Sequence, residues 1–169
     1  MHMKKILISL FLFTLLISCT TSNVMSFSTQ EGPRLFIKPV ILDGNYKVKT
    51  DMNIPCDDFK ISGDVVVNYS VFFPAGNEPN IKSAALVFDV NGETINVINP
   101  VMMFIESAGG KTQEARFTSV LPAESMKKMC ENAESVSALL YIKDKVIPLN
   151  VSKLSKALRE LSLNLLWHY

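Results

Sequence analysis

The chain has 169 residues, 48% hydrophobic and 20% charged, with 17 basic side chains against 16 acidic ones. That length suits one domain with enough chain to bury a core. The near-neutral balance, without a block of like charge, argues against nucleic acid or anionic lipid as the main partner.

The first residues, MHMKK, carry a short positive charge at Lys4 and Lys5, and Ile6 to Ile17 form an apolar run. A charged start, about 7–15 apolar residues and then small residues are the parts of a secretory signal. Twelve apolar residues fall short of the roughly 20 needed to span a bilayer. Leu16-Ile17-Ser18-Cys19 closes the run. It resembles the lipobox of bacterial lipoproteins, in which a branched apolar residue and a small residue precede an obligatory cysteine. The resemblance implies a signal peptide over 1–18, cleavage before Cys19, diacylglycerol on the Cys19 sulfur and a further fatty acid, such as palmitate, on the new N-terminus. Thr20, where an Asp would favour retention in the inner membrane, implies the outer membrane facing the periplasm. The cell surface and the inner membrane are the alternatives. The competing reading is a plain secretory signal in which Cys19 is incidental. The resemblance covers about 22 residues, and no family motif is recognised beyond them.

Without the signal, 15 basic and 16 acidic residues remain. Residues 19–33 include the polar, Ser/Thr-rich stretch TTSNVMSFSTQEG and predict a lipidated flexible tether, with a coil reach of about 20 Å. Residues 34–169 are expected to form one domain. In LFIKPVIL, Pro39 predicts an edge strand or a bulge. In Val65 to Phe73, the positions Val65, Val67, Tyr69, Val71 and Phe73 alternate with Asn68 and Ser70, which is a strand with one core face.

Asn91-Gly92 predicts a two-residue type I′ hairpin, and pairing Val90 with Glu93 aligns Phe88 with Ile95 and Leu86 with Val97. Pro100 to Ile105 predicts a short strand, SAGGKTQ a loop, and ARFTSVL another strand. Pro122 and Glu124 suit a helix start near 122–134, with Met126, Met129, Cys130 and Ala133 as its apolar stripe. VSALLYIKDKVIPLNV predicts two strands turning near Lys143-Asp144. Ser152 is the expected N-cap of a C-terminal helix near 152–166, with Leu154, Ala157, Leu158, Leu161 and Leu165 on one side. The apolar end LLWHY is expected to dock on the sheet, or else to meet a partner or membrane. The whole predicts an α+β, β-rich chain forming an antiparallel Ig-like or transthyretin-like β-sandwich with two helices.

Cys56 and Cys130 are the remaining cysteines, and in an exported protein an even pair reads most simply as a disulfide; two buried free thiols are the alternative. Catalytic patterns are thin. His168 is the one histidine after the signal and is penultimate, a poor place for a base that structure must hold. Gly110-Lys111-Thr112 lacks the first glycine of a phosphate loop, that position being Ile105. Met126, Met129 and Cys130 could suit Cu(I), but helix packing explains them. Asp57-Asp58, with Asp51 and Asp64, lacks an EF-hand spacing. Asn68-Tyr-Ser and Asn150-Val-Ser match glycosylation sequons by chance in a bacterial setting.

The expectation is therefore a protein that is not an enzyme and needs no cofactor or metal. It would be a lipid-anchored envelope binding or assembly module, attached to the membrane at Cys19 and presenting an edge strand or helix face to another envelope protein. The alternative is a carrier of a small apolar ligand held between sheet and helices, with Phe72, Phe73, Phe88, Phe104 and Phe117 as aromatic walls. An enzyme using only paired carboxylates is a third possibility.

Overall fold

The computed structural model describes residues 22–76 and 81–166, the last of these by its backbone alone. The signal segment, Cys19 and the tail containing His168 lie outside the described residues. The strands are β1 (Val24–Thr29), β2 (Gly32–Leu42), β3 (Lys47–Asp57), β4 (Lys60–Ile61), β5 (Val65–Pro74), β6 (Ala85–Val90), β7 (Glu93–Asn96), β8 (Ile98–Gly109), β9 (Thr112–Leu121), β10 (Val136–Ile142) and β11 (Lys145–Leu149). Helix α1 (Ala123–Glu131) follows β9, and α2 (Ser152–Leu166) follows β11.

Every pairing is antiparallel. The main sheet has the order β1-β2-β3-β5-β9-β8, with the short β4 beside β3, and a second sheet runs β11-β10-β6-β7. The fold is thus α+β and sandwich-like, as expected, with no closed barrel. One contiguous core joins the two sheets and the helices.

Local chemistry accounts for most elements. Asn91 and Gly92 have φ of 56° and 83°, the conformation a type I′ turn demands. Val90 pairs with Glu93 and Phe88 with Ile95, in the expected register. Ile142 pairs with Lys145 across the Lys143-Asp144 turn. Val65, Val67, Tyr69, Val71 and Phe73 are buried, with Tyr69 stacked on Phe117 at 4.9 Å and its hydroxyl donating to the Ala84 carbonyl at 2.9 Å. Met126, Met129, Cys130 and Ala133 are buried as the helix stripe predicts.

Four expectations change. Residues 24–33, expected as tether, contain β1 and the start of β2. Val24 is buried, and a two-residue turn at Gln30-Glu31 returns the chain along β2. Of the two readings of Pro39, the bulge holds and the edge does not: β2 is an inner strand, and Pro39 sits at a bulge between Ile37 and Val40, just past the last residue paired with β1, where its missing N–H interrupts nothing on that side. The strand expected over Pro100 to Ile105 extends across Ile98–Gly109, and the expected loop after it shrinks to a turn at Gly110-Lys111. Helix α2 includes Ser152, whose N–H donates to the Asn150 side-chain oxygen at 2.9 Å, so Asn150 serves the helix start.

Candidate functional site

A groove of about 880 Å³ opens on one face of β1, β2 and β3 beside the last turns of α2. Its floor follows from register. Ser26 lies opposite Leu35 and Ser28 opposite Pro33, so small side chains of β1 share a face with β2. Cys56 extends that face onto β3. Helix α2 packs its buried Leu154, Ala157, Leu158 and Leu161 inward, against β2 and β1 among others. Glu160, Leu163 and Asn164 wall the groove, and the β3–β4 turn with Asp57, Asp58 and Phe59 closes another side.

The groove begins where the described chain begins. The Glu160 carboxylate accepts from the Ser22 hydroxyl, and from the Asn23 backbone N–H at 2.9 Å and side-chain amide at 3.2 Å. Lys38 Nζ donates to the Ser22 carbonyl at 2.7 Å. Partial burial pushes the Glu160 carboxyl up, but the hydrogen bonds from Ser22, Asn23 and Val24 outweigh it and hold it below its ordinary value. A carboxyl lowered in the folded state stabilises above its unfolded value, and this is lost as pH falls through the folded one. The clamp is therefore expected to loosen below about pH 4.5. Because Glu160 is largely solvated, Glu160→Gln should cost less than about 1 kcal/mol. Hydrogen exchange at Asn23 and Val24 checks both: protection relative to the intrinsic exchange rate should fall at low pH and in the variant, with the remaining strands unchanged.

The turn at the other side is strained. Asp58 and Phe59 have φ of 43° and 58°. This left-handed region costs an L-residue about 1–2 kcal/mol and is rare for a bulky side chain. Phe59 is also 52% exposed, so an aromatic side chain is held outward in an unfavourable backbone conformation, a pattern seen at binding sites. Phe59→Gly is expected to leave stability unchanged or raise it by up to about 1 kcal/mol, since relief of strain offsets glycine's unfolded entropy.

Large exposed apolar side chains gather at two places. Phe27, Phe59 and Leu163 line this groove, with Met25 exposed elsewhere on β1. Ile98, Val101, Met103 and Phe104 all lie on β8, the opposite edge of the main sheet. Strand β8 carries three register shifts against β9, at Ile98/Val101, Met102/Phe104 and Ser107/Gly109. Repeated bulges twist an edge away from pairing with another strand, so β8 offers side chains more readily than backbone.

The structure separates the other expected site residues. Cys56 and Cys130 are both buried and carry free thiols in this structure. Cys56 lines the main groove, while Cys130 lines a smaller one of about 170 Å³ on the other side of Phe59. Burial pushes both thiols up. Cys130 reaches about 12, raised further by the charge of Glu131 and by Cys56. Of the four carboxylates, Asp51 pairs with Arg116 at 2.7 Å, Asp64 accepts from the Ala123 N–H at 3.2 Å, and Asp57 and Asp58 stay at the groove. Gly110-Lys111 forms the β8–β9 turn. Phe73, Phe88 and Phe117 are core residues, and Phe27 and Phe59 supply the groove's aromatic surface instead.

No sequence signal announces the groove, because Ser22 and Glu160 lie 138 positions apart. Among the described residues no group of three or more His, Cys, Asp or Glu is arranged to hold a metal ion, and no helix is long and apolar enough to cross a membrane. No family model matches the chain, and no curated protein shows significant sequence similarity to it.

Proposed function

We propose that this protein is a lipid-anchored envelope protein, attached at Cys19 to the outer membrane on its periplasmic side, and that it works as a non-enzymatic binding or assembly module. The observation that carries the binding role is the apolar strip on β8, with Met103 57% exposed. It lies on the edge strand farthest from β1, five strand spacings or about 24 Å along the sheet. A module tethered at one edge and adhesive at the other can join a membrane to a second envelope protein. In that oxidising compartment the Cys56 and Cys130 thiols close as a disulfide.

A photo-crosslinking residue in place of Val101 or Met103, in living cells, is expected to give one discrete protein adduct. The same residue in place of Lys145, on the second sheet, should give none. Equal, diffuse labelling from all three positions would remove the binding role from β8.

The groove supports a second reading, a carrier of a small apolar ligand between sheet and helix. Native mass spectrometry of the detergent-extracted protein would then show a co-purifying small molecule, and a clean protein mass argues against it.

A further inference from the structure

We infer that the groove rim formed by Phe27, Phe59 and Leu163 docks on the lipid bilayer, so that the anchored domain sits on the membrane in one orientation. This rests on lipidation of Cys19. The argument begins with distance. Ser22 lines the groove, and only three residue steps separate it from Cys19, which span at most about 11 Å when extended. The 13-residue coil expected from sequence would have let the domain drift. Pairing of β1 with β2 removes most of that length.

The attachment point is also fixed in direction. Glu160 and Lys38 clamp Ser22 and Asn23 to α2 and β2, so the tether leaves the domain at the groove's rim. An anchor entering there brings the rim to the bilayer. The rim is built for such contact. Phe59 is 52% and Leu163 55% exposed, with Phe27 beside them. Aromatic and aliphatic side chains at the headgroup level are stabilised by partial burial in lipid. The groove lining holds three acids, Asp57, Asp58 and Glu160, against one base, Arg34, and the adjoining Lys60 and Lys127 are accompanied by Glu131, so the rim carries no excess of cations. Docking should therefore need no anionic lipid and respond little to salt.

The full-length protein, processed in its cell and extracted from membranes, is reconstituted in phosphatidylcholine vesicles. Spin labels are placed by Leu163→Cys on the rim and by Val101→Cys on the far edge. Their collision rates with oxygen and with a water-soluble nickel chelate are then compared. The label at 163 is expected to be several-fold more accessible to oxygen than to the chelate, and the label at 101 the reverse. Combining Phe27→Ser with Phe59→Gly should return 163 to water while the protein stays membrane-bound. Peptide mass analysis of the same preparation reports Cys19 separately. Acylated Cys19 with a water-exposed 163 overturns the docking and leaves the anchor standing. Unmodified Cys19, with protein that washes off, removes the anchor and the docking with it. A label at 163 shielded from both agents means that protein, such as a second copy, covers the rim, which also overturns the proposal.

Discussion

Reduction of the proposed Cys56–Cys130 bond, in protein taken from the envelope, is expected to lower stability by about 4 kcal/mol. That is the loop-closure entropy released when a cross-link over a loop of this length is cut. It is among the largest single effects available to this fold. The bond would join β3 to α1, on either side of the Phe59 turn. Alkylation in denaturant without reductant checks it directly: no alkylated thiol at 56 or 130 supports the bond, and two sink it. Alkaline titration gives a second readout. A buried thiol whose folded value is raised contributes stability that is complete below its unfolded value, near 9, and is lost as pH rises towards the folded one, about 12 for Cys130. Reduced protein should therefore lose stability between pH 9 and 12 with thiolate absorbance appearing on unfolding. Oxidised protein should lose only what Tyr69 contributes, since burial also raises that phenol to about 12.

Arg116→Ala is expected to cost about 3 kcal/mol. Arg116 sits on β9 and reaches across two strands of the main sheet. Its guanidinium donates to Asp51 on β3 at 2.7 Å and to Ser70 on β5 at 3.1 Å. Asp51 is only 4% exposed, and its other oxygen accepts from Asn68 at 2.9 Å. Removing the arginine leaves a buried carboxylate with a single neutral donor. The figure is set at the low end of what an uncompensated buried charge costs because the Arg116 side chain itself is partly solvated. Arg116→Lys should recover part of the loss, since an ammonium restores the charge but not the fork that serves Asp51 and Ser70 together. Asp51→Asn combined with Arg116→Met should fold better than Arg116→Ala alone, because no charge is then stranded. Urea denaturation of the three variants measures the series.

This network shows where sequence reading reaches its end. Alternation in Val65 to Phe73 places Asn68 and Ser70 on the polar face, and they are there. Alternation says nothing about Ser70 being fully buried beneath Arg116, because that depends on which strand becomes its neighbour. The Asn91-Gly92 hairpin was legible down to its register, since turn chemistry and hydrophobic pattern are both local and agree. Helix α2 was legible from its leucine stripe, at the bounds expected, with Asn150 in place of Ser152 capping its start. Strand β1 was hidden because its alternation is short and its apolar residues, Met25 and Phe27, are exposed, while the positions in phase with buried Val24 are Ser26 and Ser28. Those serines look inward onto the groove instead of a packed core, which is why the segment reads as coil. The groove was beyond local reading, for it joins both ends of the chain and the β3–β4 turn.

The anchor and the groove meet at one place. In the proposed reading, lipid on Cys19 fixes the chain's start to the membrane, and the clamp of Ser22 and Asn23 on Glu160 would transmit that attachment to a folded edge. Strand β8 would then point its apolar strip away from the membrane. This arrangement makes a lipid-tethered adaptor the reading that uses both exposed apolar regions.

The central claim is that Cys19 carries the lipid. Its most direct test is the mass of the N-terminal peptide from protein extracted from the membrane fraction. The account predicts a chain beginning at Cys19 with diacylglycerol on the sulfur and a fatty acid on the amine. A chain that begins elsewhere, or one with an unmodified Cys19 thiol, would contradict it.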